Sequence, residues 1–468
     1  MSRPRARLES LPTGAQAPPD GRVRELSGFG RHPVVSGVER LSEDLPAITD
    51  GAVLSRGLGR AYGDASLPPE DARAHVAGTP LADRLLAFDP ATGWLRAEAG
   101  LALSELNRIF WPRGWASPVS PGTANVTLGG MVASDVHGRN HHVAGCFGAH
   151  VRSLRMRVAD GRILEVSEEA EPDLFHATFG GMGLTGHVLE VEVRLSPIPS
   201  EWIWYESERF DSLEELLPRL VAAGESWPST VAWVDCTARG RHLGRGILMR
   251  SRWATSAEAP PRSPRRAAKF SVPFHFPNGV VNRHSLRLMN ALWYWKHGRA
   301  ARIGVVSPNS WFYILDQIES WPRVFGKRGF TQYQCVLPRE VAVYREFLEI
   351  FQRGGGASFV TVLKDCAESG RGPLSFPQPG ASMALDIPIR RKTRDLIERL
   401  NAFVIAHGGR IYLAKDAFTS PEQFRAMYPR LDEFEAVRRE WDPDGRLESA
   451  QSRRLFGSQA PSEPPAKG

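Results

Sequence analysis

Hydrophobic positions divide the first two hundred residues of the chain into short strands and helices. From His187 to Leu195 apolar and polar residues alternate, which predicts a half-buried strand. Two apolar stretches, 152–158 and 162–166, flank Asp160-Gly161, a dipeptide typical of a tight hairpin turn. Apolar residues at helical spacing predict two helices, over 103–113 and 172–179.

The pattern changes after Pro199, where Trp and Tyr become frequent and strands alternate with longer helices. The predicted strands cover 230–237, 331–337 and 410–414, and the predicted helices cover 339–352 and 392–407. This mixture predicts an α+β fold with a domain boundary near Pro199. The predicted units are a tail at 1–20, a first domain at 21–198, a second domain at 199–412, a return to the first domain at 413–456, and a tail at 457–468.

Charge is distributed unevenly along the 468 residues, whose formal net charge is +7. The segment 259–315, which we call the acid-free segment, has no Asp or Glu and holds nine Lys and Arg residues. Without those nine charges the rest of the chain carries −2. A protein that coats nucleic acid would be basic throughout, so this distribution argues against one.

Composition excludes several further classes. A hydrophobic content of 42% is enough for a core, and four widely spaced cysteines exclude a disulfide scaffold and indicate a reducing compartment. No apolar run reaches the roughly 18 residues of a membrane span. The N-terminus lacks the apolar stretch of a Sec signal peptide. We therefore expect a cytoplasmic protein, or one peripheral to the inner membrane.

Three glycine-rich segments are candidate binding loops. Gly181-Met-Gly183-Leu-Thr-Gly186 matches GxGxxG, but a predicted helix precedes it and a strand follows, the reverse of a Rossmann unit, so we reject NAD binding there. Segments 55–64 and 121–130, the second continuing into 134–142, also hold closely spaced glycines. Such glycines allow consecutive N–H groups to face one pyrophosphate, although two tight turns without a ligand are the alternative.

Together these motifs resemble the FAD-binding module of the vanillyl-alcohol oxidase/p-cresol methylhydroxylase (PCMH) superfamily. Within it they resemble one branch in particular, the oxidase subunit of decaprenylphosphoryl-β-D-ribose 2′-epimerase. The resemblance implies a PCMH-type FAD-binding domain and an α+β substrate domain with an antiparallel sheet. The motifs that carry it are RGLGRAYGD from Arg56, PGTANVTLGG from Pro121, DVHGRNHH from Asp135, FGGMGLTG from Phe179, QYQ from Gln332, LSFPQPG from Leu374, YLAKD from Tyr412 and AMYPR from Ala426.

The resemblance implies that three loops and a returning segment hold FAD. The first loop would surround the pyrophosphate, the second would follow the isoalloxazine and ribityl chain, and the third would meet the adenine. The implied cofactor-binding residues are Arg56, Gly57, Leu58, Gly59, Arg60, Ala61, Tyr62, Gly63, Pro121, Gly122, Thr123, Thr127, Leu128, Gly129, Gly130, Ser134, Asp135, His137, Gly138, Asn140, Gly183, Gly186, His187, Val188, Tyr412 and Lys415.

The resemblance also implies how FAD is attached. Related sugar and aldonolactone oxidases have a flavin-linking His in the first loop, and Tyr62 occupies that position here. A phenol cannot form the usual histidyl bond, so we expect non-covalent FAD. His137 is the remaining residue that could form a linkage.

The implied reaction oxidises the C2 hydroxyl of a ribose on a polyprenyl phosphate, with hydride passing to flavin N5 and a keto sugar as product. A separate NAD-dependent reductase would then complete the epimerisation. Lys415 is expected to be the cation near the flavin N1/C2 carbonyl, protonated at an ordinary pKa of ~10.4. His137, with an ordinary pKa of ~6.5, is expected to transfer the proton, and the assignment between the two stays open.

Substrate residues follow from the same resemblance. Gln332, Gln334 and Lys364 match pocket positions, with Lys364 as a phosphate partner or simply a surface lysine. Trp233 and Tyr313 match aromatic pocket positions, with ordinary core packing as the alternative. Two positions depart from the branch: Ser382 replaces an Asn and Ala384 replaces a Cys that inhibitors modify. The exact sugar and lipid could therefore differ.

The acid-free segment is predicted as a cationic insertion in the second domain, and we interpret it as a flexible lid over a lipid-phosphate substrate at a surface that meets a membrane. A predicted helix over 282–297 would place Leu286, Met289, Leu292 and Trp293 on one face, as in helices that lie in a lipid interface. The alternatives are a solvated insertion and binding of single-stranded nucleic acid, which we do not expect. No metal is expected either, because the histidines 137, 141 and 142 have no further ligand at a suitable spacing.

Three functions compete at this point. The first is an FAD-dependent oxidoreductase that acts on a polyprenyl-linked sugar. The second is a soluble aldonolactone or sugar-alcohol oxidase that uses O₂, against which the missing linking His and the acid-free segment argue. The third is a flavin-free lipid- or nucleic-acid-binding module, against which the intact glycine loops and Lys415 argue.

Overall fold

A computed structural model of the protein describes residues 23–70, 75–264 and 269–457. It confirms the predicted α+β class. The predicted tails lie outside the described residues, except for Gly457. No helix in the described ranges is long and apolar enough to span a membrane.

Residues 23–198 form three sheets. A four-stranded sheet has the order β1-β2-β4-β3, a five-stranded antiparallel sheet has the order β5-β6-β10-β8-β9, and β7 pairs with β11. The strands are β1 (Val23–Ser27), β2 (Val34–Leu41), β3 (Leu54–Arg56), β4 (Val76–Gly78), β5 (Leu85–Phe88), β6 (Trp94–Glu98), β7 (Trp115–Ala116), β8 (Val151–Arg157), β9 (Ile163–Ser167), β10 (His187–Arg194) and β11 (Ser196–Pro197).

The five-stranded sheet confirms two predicted features. β8 and β9 form the hairpin, with Gly161 at φ +95° in the turn, where a side chain would be strained. β10 lies at the centre of the sheet, with Leu189, Val191 and Val193 buried in the first core. The alternation of the sequence thus places one face of β10 in the core.

Five helices accompany these sheets: α1 (Leu45–Ile48), α2 (Leu103–Phe110), α3 (Leu128–Ala133), α4 (His141–Ala144) and α5 (Pro172–Thr178). The helix predicted over 103–113 is α-helical only to Phe110 and continues as a 3₁₀ turn to Arg113. Pro112 explains the change, because it has no N–H to continue the α-helical ladder. Gly114 then ends the turn at φ +79°.

Residues 203–411 form an antiparallel eight-stranded sheet of order β16-β12-β14-β13-β19-β20-β18-β21, and β15 pairs with β17 beside it. The strands are β12 (Ile203–Phe210), β13 (Ser229–Val234), β14 (Gly246–Trp253), β15 (Phe270–Ser271), β16 (Arg302–Val306), β17 (Ile318–Glu319), β18 (Phe330–Leu337), β19 (Thr361–Cys366), β20 (Gly380–Pro388) and β21 (Arg410–Ile411). The strand predicted over 410–414 stops at Ile411, because the chain turns into a 3₁₀ turn at 413–415.

Helices cover one face of this sheet and build the second core. The helices after residue 199 are α6 (Leu213–Gly224), α7 (Arg283–Lys296), α8 (Pro308–Phe312), α9 (Val341–Arg353), α10 (Thr393–Ala406), α11 (Pro421–Met427), α12 (Leu431–Trp441) and α13 (Ala450–Phe456). The last helices also contact the first two hundred residues. Glu448 N donates to Val53 O, Ala450 N donates to Leu67 O, and Arg454 pairs with Asp64. The exact domain boundaries stay a prediction.

The acid-free segment is integrated into the sheet rather than inserted between its strands. It supplies the edge strand β16 and the helices α7 and α8. On α7 the buried side chains are Leu286, Asn290 and Tyr294, whereas Leu288, Leu292 and Trp295 are each more than 60% exposed. The predicted apolar face was therefore wrong, because Leu286 packs inward while Leu292 points to solvent.

Candidate active site

The first glycine loop follows β3 and runs against two other parts of the chain. A Cβ added at Gly57 would lie 2.4 Å from Thr127 Oγ1, and one added at Gly63 would lie 1.7 Å from the backbone oxygen of Asp416. Gly59 has φ +63°, which favours glycine. The loop from Gly57 through Leu58 to Gly63 thus contacts both the second glycine stretch and the segment after Lys415. These contacts bring together three of the regions predicted to hold FAD.

The two arginines of this loop differ in their surroundings. Arg56 is bound within the fold, because its guanidinium donates to Ser27 O (2.8 Å) and Ser66 O (3.1 Å) and pairs with Glu39. Arg60 lies over the Phe29 ring, 5.0 Å from its centroid, and its buried Nε has no partner among the described residues. Arg60, rather than Arg56, can donate from its side chain to a ligand.

The second glycine stretch leaves its backbone open. Gly122 and Gly130 are exposed, and a Cβ at Gly122 would meet nothing within 4 Å. Thr127 caps α3 by accepting from Gly130 N, and Thr123 Oγ1 donates to Asp316 (2.7 Å). The remaining predicted residues of this stretch are Pro121 and Gly129, which are partly buried, and Leu128, which lies in the core.

Asp135 fixes the corner that follows α3. It has φ +38°, and its carboxylate accepts from Gly148 N (2.9 Å) and Ser375 Oγ (2.5 Å). Burial raises the pKa of Asp135. Next to it, the carbonyl of Ser134 accepts from the Tyr412 hydroxyl at 2.9 Å. These bonds fix the entry to the segment that contains His137, so Asp135 positions the loop through its own contacts.

The segment 137–140 is held equally firmly. A Cβ at Gly138 would lie 2.9 Å from Ser120 O, and Asn140 Nδ2 donates to Pro118 O at 2.7 Å. The carbonyl oxygen of Arg139 accepts from the backbone N–H of Thr230 at 3.0 Å. The loop therefore holds His137 and Arg139 at a defined place against the eight-stranded sheet.

The third loop lies beside the first. Gly183 has φ +80° and Gly186 has φ +152°, and a Cβ at Gly183 would meet nothing within 4 Å. His187 lies 2.8 Å, through Nδ1, from the Ser55 hydroxyl at the start of the first loop, and Val188 follows it in β10. Burial lowers the pKa of His187 to about 4. The third loop thus contacts the start of the first loop, which in turn contacts the second glycine stretch.

One face of the eight-stranded sheet carries the predicted substrate residues. Register pairs Gln334 with Ala384 and Lys364 with Ser382, and residues paired across strands share a face. Trp233 pairs with Val362, which pairs with Ala384, so it lies on the same face. Its indole N–H, however, donates to Phe359 O. Tyr313 is buried and accepts from Asn107 Nδ2 at 3.2 Å. Both aromatic residues thus contribute packing.

Asp386 belongs to the same face and was not predicted. It pairs with Gln332 across β18 and β20, and Gln332 Nε2 donates to its Oδ1 at 2.7 Å. Its buried Oδ2 has no partner within the described part of the chain. The strand reads Ser382, Ala384, Asp386 at every second position, so the period of the strand was a signal that could have identified it.

Lys415 lies opposite Asp386 at the first glycine loop. Its Nζ is 3.9 Å from the centroid of the Tyr62 ring. Burial lowers the pKa of Lys415 to about 7, partly opposed by the charge of Asp386, and burial raises the pKa of Asp386 to about 7. The expectation of an unperturbed lysine was wrong, because this lysine is withdrawn from water and has one acid facing it.

His137 lies between two substrate residues of the sheet. The Gln334 amide donates to His137 Nε2 at 3.0 Å and also to Ser382 Oγ, while Lys364 Nζ is 3.5 Å from His137 Nδ1. Burial and the charge of Lys364 hold the pKa of His137 well below its ordinary value. His137 is therefore neutral and a weaker proton acceptor than its ordinary pKa implied.

These surfaces suit a long, anionic, planar cofactor such as FAD. Exposed glycines line the opening, Arg60 has a donor without a partner, and the Tyr62 ring and Lys415 close one end. Arg60, the loop from Gly57 to Gly63 and the stretch from Gly122 to Gly130 would hold the cofactor. Across the described ranges, no three His, Cys, Asp or Glu side chains group as a metal site.

Comparison with known proteins identifies the same regions. A model of the FAD binding domain matches residues 49–167, and a model of D-arabinono-1,4-lactone oxidase matches residues 382–455. Decaprenylphosphoryl-beta-D-ribose oxidase of Mycolicibacterium smegmatis is 35% identical over 92% of this chain and 97% of its own length. An uncharacterized protein of Streptomyces coelicolor is 33% identical over 76% of this chain and all of its own. L-gulonolactone oxidase of Mus musculus is 29% identical over 30% of each chain.

Proposed function

Because the chain belongs to the family of FAD-binding oxidases that includes decaprenylphosphoryl-beta-D-ribose oxidase, we propose that it oxidises the C2 hydroxyl of a polyprenylphosphoryl-β-D-ribose-like sugar to the keto sugar. One observation carries this proposal. Gln332, Gln334 and Lys364 form a polar row that faces Lys415 and the FAD-holding loop, where a sugar can meet the cofactor.

The roles of the protein groups follow from their surroundings. FAD would supply the two-electron acceptor, which takes the hydrogen of the alcohol carbon together with the electron pair of its bond, as hydride. Lys415 is the cation that stabilises developing negative charge, and Asp386 supports its protonation. Gln334 holds the neutral ring of His137 by donating to its Nε2. That nitrogen can take the hydroxyl proton when the substrate hydroxyl replaces the amide as its donor. The amides of Gln332 and Gln334 orient the sugar hydroxyls by hydrogen bonds.

Substitution separates cofactor binding from chemistry. Lys415→Ala and His137→Ala are expected to retain FAD and to lose flavin reduction by a polyprenylphosphoryl ribose, by ~10²-fold or more for Lys415. The measurement is anaerobic bleaching of the flavin absorption after mixing with the substrate. Undiminished bleaching in both variants would reject these roles.

A second candidate is an aldonolactone oxidase that uses O₂, and one observation favours it. The lactone oxidase model matches residues 382–455, which include Ser382, Ala384 and Lys415. Wild-type protein mixed anaerobically with D-arabinono-1,4-lactone or with the polyprenyl-linked sugar distinguishes the two. Bleaching by the lactone alone would establish this alternative.

We further propose that FAD is bound non-covalently. Tyr62 occupies the first-loop position and is 7% exposed, with its ring beneath Lys415. Its phenol lies within 3.4 Å of the Gln332 amide. Precipitation with acid should release the yellow colour into solution. Colour that stays with the protein would indicate a covalent bond, with His137 as the residue to examine.

The outer face of α7 supports a peripheral location on a membrane. Leu288, Leu292 and Trp295 are exposed there, and the acid-free segment supplies cations around them. Apolar side chains at an interface and cations near anionic lipid both favour binding. The keto product would then pass to a separate NAD-dependent reductase.

Co-sedimentation with anionic liposomes tests the location. Replacing the basic residues of 262–302 by glutamine should reduce pelleting, and so should serine at 288, 292 and 295. Pelleting of wild type should also fall with added salt. If all variants pelleted equally and added salt had no effect, the proposed membrane-binding surface would be rejected.

A further inference from the structure

Two cations, Lys364 and Arg139, lie close to His137, and neither forms an ion pair with a carboxylate of the described residues. Lys364 Nζ contacts His137 Nδ1 at 3.5 Å, and no described carboxylate pairs with it. Arg139 is two residues from His137, and its guanidinium forms no ion pair within the described ranges. The two charges are close enough that Arg139 lowers the pKa of Lys364, which burial brings to about 8.

Arg139 is held by aromatic rings rather than by an acid. Its guanidinium carbon lies 5.8 Å from the Trp311 centroid and 5.9 Å from the Phe312 centroid, both in α8. Burial lowers the pKa of Arg139 to about 10. Ring contacts of this length offset only part of the cost of withdrawing a guanidinium from water.

Arg139 and Lys364 are both half-buried, and cations withdrawn from water are normally paired with an anion. Two such cations with no carboxylate partner among the described residues indicate an anionic ligand.

We propose that Arg139 and Lys364 form a phosphate subsite that binds the phosphodiester of a polyprenyl-linked sugar. This inference rests on the proposed function, and it adds Arg139 to Lys364, the predicted phosphate partner. An arginine fork can bind two phosphate oxygens, and an ammonium supplies a further charge. Because Lys364 contacts His137, a phosphate bound there would hold the attached sugar beside the residue proposed to accept the proton.

The cofactor phosphates are the competing anion. The first glycine loop and Arg60 already suit the pyrophosphate, whereas Arg139 contacts α8 and β13. The ratio of flavin to protein absorbance in Arg139→Gln separates the two. Wild-type FAD content is expected, and loss of FAD with retained fold would overturn the subsite.

Direct binding supplies the main test. FAD-loaded protein is titrated with farnesyl phosphate by calorimetry. Arg139→Gln and Lys364→Met should each weaken binding by about tenfold to a hundredfold, the usual effect of losing a charged hydrogen bond. Arg139→Lys should recover part of the loss, and the exposed Arg391→Gln is the matched control that should bind like wild type. Equal affinity of wild type, Arg139→Gln and Lys364→Met would overturn the proposal.

A second arm compares substrates with and without phosphate. In anaerobic bleaching, Arg139→Gln should raise the apparent Kd for farnesylphosphoryl-β-D-ribose more than for methyl β-D-riboside. An equal rise for both would overturn phosphate recognition. If neither sugar bleaches wild type while farnesyl phosphate binds through Arg139, the proposed oxidation fails and the subsite stands. Competition by inorganic phosphate at millimolar concentration would show that the lipid contributes little of the affinity.

Discussion

The FAD-holding loops and the substrate face of the sheet are built in opposite ways. The loops use backbone and glycine, and most of their polar side chains, such as Asp135, Thr127 and Arg56, already have partners inside the protein. The substrate face uses side chains: Lys364 has no carboxylate partner, and Asp386 Oδ2 has no hydrogen-bond partner, among the described residues. The FAD-holding loops are therefore a rigid framework of backbone contacts, whereas the substrate face keeps polar side chains available for a ligand.

This difference has an energetic consequence. A framework of close backbone contacts is disrupted when a side-chain atom is added, since displacing the neighbouring backbone is energetically costly. A face with unpaired buried charge already costs stability, because those groups have left water without full compensation. Substitutions in the first region should therefore damage folding and FAD binding, while those in the second should alter ligand affinity and pH dependence.

The largest effect is expected from Gly63→Ala. The new Cβ would lie 1.7 Å from the backbone oxygen of Asp416, so the first loop and the segment after Lys415 must separate. We expect loss of most FAD-loaded protein and a lower free energy of unfolding, by about 3 kcal/mol or more. The measurements are the flavin-to-protein absorbance ratio and a urea titration.

Gly298→Ala is the control for that substitution. A Cβ there would meet nothing within 4 Å, and the residue lies in the acid-free segment away from the loops. Its FAD content and urea midpoint should match wild type. If Gly63→Ala also matched wild type, the first loop would not be a rigid framework of backbone contacts.

Much of the loop framework could be predicted from sequence, because closely spaced glycines indicate positions where two backbones approach closely. Glycine spacing indicated three candidate binding loops, and the hairpin at Gly161 and the alternation of β10 also followed from local pattern. The FAD-binding roles of the loops came from the resemblance to the PCMH superfamily. The substrate face was harder, since it depends on register between strands distant in sequence. Asp386 was missed for that reason, although it continues the alternation of Ser382 and Ala384.

Burial is the second property that local pattern did not provide. Lys415 and His137 were predicted with ordinary pKa values, yet both are withdrawn from water by elements that are remote in sequence. The outer face of α7 was misassigned for the same reason. An amphipathic pattern shows that a helix has two faces, and only the packing of Tyr294 on the sheet shows which one is buried.

A smaller loss of stability is expected when acid protonates His187, which lies beside the first loop. Its pKa is about 4 in the fold and ~6.5 when unfolded, so the unfolded chain binds more protons between these values. The stability that depends on neutral His187 is complete above ~pH 6.5 and is lost as the pH falls toward 4. Between pH 7 and pH 5 this loss is about 2 kcal/mol for one such residue.

His187→Gln removes the titrating group and retains a side chain that can bond to Ser55. The variant should lose less unfolding free energy than wild type between pH 7 and pH 5, measured by urea titration at each pH. The exposed His284→Gln should leave that difference unchanged. A variant that lost as much as wild type would show that His187 titrates normally in the fold.

The smallest effect, and the sharpest test of the substrate face, is expected from Asp386→Asn. The charge of Asp386 raises the pKa of Lys415 against the lowering effect of burial, so removing it should lower that pKa further. If protonated Lys415 is needed for flavin reduction, the rate falls as the pH rises through about 7 in wild type. In the variant the fall should begin at lower pH, although the new amide oxygen can still accept from Gln332. Anaerobic bleaching rates between pH 5.5 and 9 measure the shift. If the fall in rate began at the same pH in the variant, the charge of Asp386 would not affect the pKa of Lys415. If the fall disappeared, Asp386 itself would be the titrating group.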